Sequence, residues 1–105
     1  MRPDPVLQLL GLARKAGKLE SGEFSCENAI KDGSARLCVV ASDASDNTRK
    51  KFSDMCSYRR VSYMEYSDKE SLGHAIGKEF RASLVVTDAG FAEQIQKKTV
   101  LNGGR

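Results

Sequence analysis

Residues 14 to 33 read RKAGKLESGEFSCENAIKDG, and the glycines in this stretch set the rhythm of the whole chain. Gly17 closes a first helix, because a residue without a Cβ takes the left-handed conformation that ends one. Ser21-Gly22 open a second helix and Gly33 closes it. Between the two helices, Lys18-Leu19-Glu20 leaves room for an edge strand of two or three residues. A helix N-terminus presents N–H groups and the positive end of a dipole, and Lys15 and Lys18 are close to it in sequence, so this corner is able to hold an anion. Every helix has such an end, so the feature assigns nothing alone.

Outward from this stretch, helices and strands alternate. Towards the N-terminus, Pro3 and Pro5 delay the first helix, and Val6, Leu9, Leu10 and Ala13 then form one apolar stripe up to about Ala16. Towards the C-terminus, Leu37-Cys38-Val39-Val40-Ala41 is a continuous apolar run of the kind found in a central strand covered on both faces. Ser42 to Asp46 is a turn and cap region, and Phe52, Met55 and Cys56 supply the inner face of a helix from about Asp46 to Tyr58. Val61 to Tyr66 is a second strand. Ser67-Asp68-Lys69-Glu70 fits a capping box before a helix that buries Leu72, Ala75 and Ile76. Leu84 to Thr87 is a third apolar strand, and Asp88 caps a last helix carrying Phe91, Ala92 and Ile95. The Gly-rich stretch from Thr99 to Arg105 reads as a flexible tail. The expected fold class is α/β, a three-layer α/β/α sandwich with a mixed sheet of about four strands, in a single domain over 1–98.

Composition excludes several function classes. The chain has 105 residues, 40% hydrophobic and 30% charged, which suits one globular domain and not a disordered segment. It has no tract of eighteen apolar residues and MRPDPV is not a signal peptide, so no membrane role is expected and the cytoplasm is the default compartment. Cys26, Cys38 and Cys56 form no CxxC pair and read as reduced, small core residues. His74 is the one histidine and has no cysteine or aspartate at ligand spacing, so no metal is expected. Asp43 and Asp88 stand at strand ends, where a phosphate or magnesium site is conceivable, but capping a helix is the simpler role for each. No phosphate-binding glycine motif and no nucleophile-base set is present, so neither cofactor, small-molecule substrate nor catalytic activity is expected. The net charge of +3 permits a nucleic-acid partner, with basic residues grouped at Arg14-Lys15-Lys18, Arg49-Lys50-Lys51, Arg59-Arg60, and Lys78 with Arg81.

Two places carry sharper information. On the second helix Gly22, Cys26, Ala29, Ile30 and Gly33 share the core side, which turns Phe24 and Asn28 outward with Ser25 and Lys31 flanking them. A first-turn phenylalanine facing away from the apolar stripe is either covered by another element or available for stacking. An unpaired base is one natural partner, with Ser25 and Asn28 beside it to bond a base edge. The second place is Gly77-Lys78-Glu79-Phe80-Arg81-Ala82, a helix end and loop in which an aromatic lies between cations. Phe80 reads there either as a stacking residue or as the first core residue before the strand.

The order of elements, with Lys15-Ala16-Gly17-Lys18 then Gly22, Ala29 to Gly33 then Ala35-Arg36-Leu37, and above all Leu72-Gly73 with Gly77-Lys78-Glu79-Phe80-Arg81, resembles the ribosomal-protein superfamily of L-seven-A-e and L-thirty-e. The resemblance covers about Leu10 to Gln94 and is greatest to its bacterial YlxQ-type branch. It implies a small α/β/α protein that binds structured RNA, ribosomal RNA among the candidates, at kink-turns and related internal loops. It also implies contacts from the first turn of the second helix and from the loop before the last strand. Gly77, Lys78, Phe80 and Arg81 carry over on the loop, and Gly22 on the helix. Where kink-turn readers place Asn or Lys, then Glu or Gln, and three residues later Lys, this chain has Phe24, Ser25 and Asn28. The implied target is a kinked or internally looped RNA read with altered specificity. The alternative is a protein-interaction module that keeps the fold and uses Phe24 as an apolar anchor.

Overall fold

The computed structural model describes residues 4–101. Five helices and four strands alternate in the order α1 (Pro5–Lys15), β1 (Leu19–Ser21), α2 (Glu23–Asp32), β2 (Leu37–Val40), α3 (Asp46–Arg59), β3 (Ser62–Glu65), α4 (Lys69–Ala75), β4 (Ser83–Val86) and α5 (Ala89–Leu101). The strands form one mixed sheet in the order β1-β4-β2-β3. β4 runs antiparallel to both of its neighbours, and β2 and β3 are parallel. Helices α2 and α3 pack together on one face, and α1 packs with α4 and α5 on the other, giving the expected three layers.

The two interior strands explain their composition. All four residues of β2 and all four of β4 are buried, so each side chain meets a helical layer and polar alternation has no place. Val6, Leu10, Ile30, Phe52, Leu72 and Ile95 reach this sheet from the helices. Cys26, Cys38 and Cys56 are buried free thiols. Burial pushes the Cys26 thiol up to about 12, and a hydrogen bond with Cys56 together with burial pushes Cys38 up as well. β3 is an edge strand of four residues, Ser62–Glu65, shorter than the span from Val61 to Tyr66 read from its alternation, and Tyr66 N follows it with a hydrogen bond to the Val40 carbonyl at 2.9 Å.

Two other expectations are corrected. Thr99 begins no tail: α5 continues to Leu101, and Thr99 is buried with its Oγ1 donating to the Ile95 carbonyl at 2.8 Å. It extends the Ala92 and Ile95 stripe by one turn, whereas 102–105 lie outside the described residues. The N-cap of α4 is Asp68, not Ser67: Asp68 Oδ1 accepts from Ser71 N at 2.7 Å. Ser67 stands outside the helix with a φ of 62°, its carbonyl taken by Ser42 N at 2.8 Å. Asp43 caps a helix as expected, and that helix is α4, its Oδ1 accepting from Lys69 N at 2.9 Å, while Ser45 caps α3. Asp88 caps α5 as expected, accepting from Phe91 N at 2.9 Å. Among the described residues no helix is long and apolar enough to cross a membrane.

Candidate nucleic-acid interface

β1 ends where β4 begins. Ser21 pairs with Leu84, and Gly22 N donates to the Ser83 carbonyl at 3.2 Å. This register brings the first turn of α2 beside the segment that enters β4. Arg81 closes the junction, its Nε donating to Ser21 Oγ at 3.3 Å and its Nη1 to the Phe80 carbonyl at 2.7 Å. Gly22, Phe24 and Ser25 therefore share one rim of the sheet with Phe80 and Arg81, some sixty positions later in the chain.

On α2 the outward stripe is present as the helical projection requires. Gly22 takes the N-cap position with φ 92° and ψ 156°, a conformation that strains any residue with a Cβ, and makes no side-chain capping bond. Cys26, Ala29 and Ile30 are buried beneath it. Phe24 is 78% exposed, Asn28 and Lys31 are exposed, and Ser25 is half-buried. Among the described residues no element covers Phe24. At 100° per residue Phe24, Asn28 and Lys31 follow one line down the helix, so Asn28 and Lys31 lead away from the rim. The same helix carries Glu23 and Glu27, which would repel a phosphate. Lys51 of α3 pairs with both, at 2.8 Å to Glu23 and closely to Glu27. Its ammonium pKa is raised by the bonds to Glu23 and then Glu27, so the cation persists across the neutral range.

The second element is a loop that doubles back along α4. A Cβ on Gly73 would lie 2.5 Å from the Glu79 carbonyl oxygen, so only glycine admits the loop over the helix at that point. Gly77 makes the reversal at φ 78°. Lys78 N then donates to Gly73 O at 2.8 Å and Arg81 N to Lys69 O at 3.0 Å. Those acceptors are one helical turn apart, so Gly77 and Lys78 lie roughly 6 Å further along α4 than Arg81. Phe80 is 60% exposed and is not the first core residue of the strand; half-buried Ala82 and buried Ser83 take that part.

The corner that sequence proximity suggested is divided by β1. Lys18 accepts from Thr87 N at 2.9 Å, at the far end of β4 from Ser83. A three-residue strand thus holds Lys18 roughly 10 Å from the start of α2. Lys15 instead lines a groove between α1 and α4 with Arg14, Gly11, His74 and Gly77. Tyr58, near the end of α3, is 83% exposed and carries no motif in the sequence that marks it. The projection that finds Phe24 would also find Tyr58, since it falls off the buried Phe52 and Cys56 side of its helix.

Residues 4–96 match the ribosomal protein L7Ae/L30e/S12e/Gadd45 family. The chain is 44% identical over 87 residues to the RNA-binding protein YlxQ of Bacillus subtilis (strain 168), covering 83% of this chain and 87% of that protein. It is 37% identical over 92 residues to the RNA-binding protein YlxQ of Enterococcus faecium, covering 88% of each. A solved structure from Bacillus halodurans C, described as a protein with unknown function, superposes with a TM-score of 0.88 at 34% identity, over 91% of this chain and 97% of that one.

Proposed function

The chain belongs to the ribosomal protein L7Ae/L30e/S12e/Gadd45 family, and on that premise we propose that it binds a kinked or internally looped RNA at the rim, without chemistry of its own. The carrying observation is the pair of phenylalanines, 78% and 60% exposed, held at one sheet end by the Arg81–Ser21 bond. Full burial of such a ring is worth about 1.5–3 kcal/mol, and each of these two forgoes the larger part of it. Two such residues at one rim are surface kept for a partner, and the cations beside them fit a polyanion better than an apolar protein face.

In this reading unpaired bases stack on Phe24 and Phe80, Ser25 and Asn28 bond base edges, and Gly22 lets the backbone approach closely. Arg81, Lys78 and Lys31 take phosphates, and Gly77 sets the loop that presents them. The first turn of α2 offers a ring and a hydroxyl where kink-turn readers offer an amide and a carboxylate. The target is therefore an internal loop that exposes stackable bases, with specificity different from a standard kink-turn.

A titration of an internal-loop RNA hairpin at low and moderate salt tests this. About four phosphate contacts give a log-log salt slope of roughly -3. Phe80→Ala should weaken binding about tenfold, the loss of one stacked base. Arg81→Ala should flatten the slope by about one. Binding that ignores both salt and these substitutions sinks the reading. A stoichiometric protein recovered after nuclease treatment, and lost on Phe24→Ala, would reassign the rim to a protein partner.

A further inference from the structure

We propose that the cleft between α2 and α3, lined by Lys31, Asp54, Met55, Tyr58 and Arg59, is a second base-binding site that takes an unpaired nucleobase with its phosphate from the same RNA. The inference rests on the RNA reading above and extends the contact surface beyond the rim.

The cleft has a volume of about 280 Å³ and joins an apolar thioether, Met55, to an aromatic wall, Tyr58. Tyr58 is 83% exposed, so the part of its ring that Arg59 leaves open can receive a flat partner. The guanidinium of Arg59 lies 5.6 Å from the centroid of that ring. It is fixed there by its Nη1, which donates to the Lys31 carbonyl at 3.1 Å in the last turn of α2. An aromatic face with a tethered guanidinium beside it is the arrangement that stacks a base and holds its phosphate.

Charge favours the same occupant. Asp54 is the one carboxylate among the lining residues, and its Oδ2 is paired with Lys50 at 2.9 Å. Lys31 and Arg59 are left to face an anion. A protein partner would have to bury these cations against the apolar wall, whereas a nucleotide satisfies both.

Continuity supplies the strand. Lys31 lies on the line that starts at Phe24 and passes Asn28, two helical turns or roughly 10 Å from the rim. An RNA strand leaving a base stacked on Phe24 needs only to follow this line to reach Tyr58.

The test compares one internal-loop hairpin alone, with a single-stranded extension of about six adenylates, and with a base-paired extension of equal length. For the wild-type protein the single-stranded extension at one end should tighten binding roughly tenfold, as one added stacked base does. Tyr58→Ala should abolish that gain and leave the bare hairpin unaffected, since the ring is 83% exposed and stands away from the rim. Phe24→Ala should weaken both RNAs, and the base-paired extension should give no Tyr58-dependent gain. A wild type that binds the bare hairpin without responding to the extension, or a Tyr58→Ala protein that keeps the gain, overturns the second site alone. Failure to bind either RNA overturns the rim reading and this inference together.

Discussion

Gly73 sets the path of the loop that carries Phe80 without standing in that loop. Within α4 an alanine would ordinarily gain about 1 kcal/mol over glycine in helix propensity. Here its Cβ would meet the Glu79 carbonyl oxygen at 2.5 Å and Phe80 N at 2.8 Å, both backbone atoms that cannot rotate aside. Overpacking of this kind costs about 1–3 kcal/mol, so the clash outweighs the propensity. Gly73→Ala should lower the urea midpoint and displace the loop carrying Phe80, weakening the RNA contact as well. A variant as stable as wild type, with the Phe80 amide in place by NMR, would count against this account. The sequence alone marks Gly73 as a weak spot in a helix, and only the resemblance draws attention to it. Phe24 was more legible, because its helix has a clear apolar side to turn away from. Phe80 was not, since a phenylalanine just before a strand reads equally as core, and its exposure depends on the reversal at Gly77.

At the scale of the element, α4 is only seven residues long and is held at its N-terminus by two carboxylates. Asp68 bonds Ser71 N and Asp43 bonds Lys69 N from the loop after β2. The backbone and hydroxyl of Ser71 hold the Asp68 carboxyl below its usual value. A carboxyl depressed on folding adds stability that is present above the unfolded value and lost as pH falls through the folded one. Asp68→Ala should therefore cost about 1 kcal/mol at neutral pH. The gap to wild type should narrow on going to about pH 3, below the ordinary carboxylate range. Urea titrations at the two pH values check it, and a gap that widens in acid would contradict the assignment. The helix starts one residue later than the S-x-x-E pattern at Ser67 implies, because that pattern and D-x-x-S at Asp68 overlap in the sequence. The choice was made outside the helix, where Ser42 takes the Ser67 carbonyl at 2.8 Å. Which helix Asp43 caps is likewise not legible, because a cap given across a loop leaves no local pattern.

For the molecule as a whole, the layers were legible and the neighbours were not. Two fully apolar runs and amphipathic helices imply a covered sheet, but the pairing of Leu19 with Val86 joins residues at opposite ends of the chain. That pairing divides the corner around Lys18 and assembles the rim from Phe24 and Phe80. The resulting architecture keeps the buried core apart from the exposed rim. Phe52 is fully buried between α3 and the sheet, so Phe52→Ala should cost about 3–5 kcal/mol. At about 4–8 °C per kcal/mol for a small domain, its melting temperature should fall by more than ten degrees. Phe24→Ala and Phe80→Ala remove rings of the same size from water and should each change stability by about 0.5 kcal/mol or less. Because both rings stand on one rim, their effects on RNA affinity should couple, while their effects on melting stay small. The double variant is the decisive protein. If it melts within a few degrees of wild type and has lost the internal-loop RNA, the rim is a working surface built on an independent core. If it melts as early as Phe52→Ala, the two rings support the fold, and their exposure is no argument for recognition.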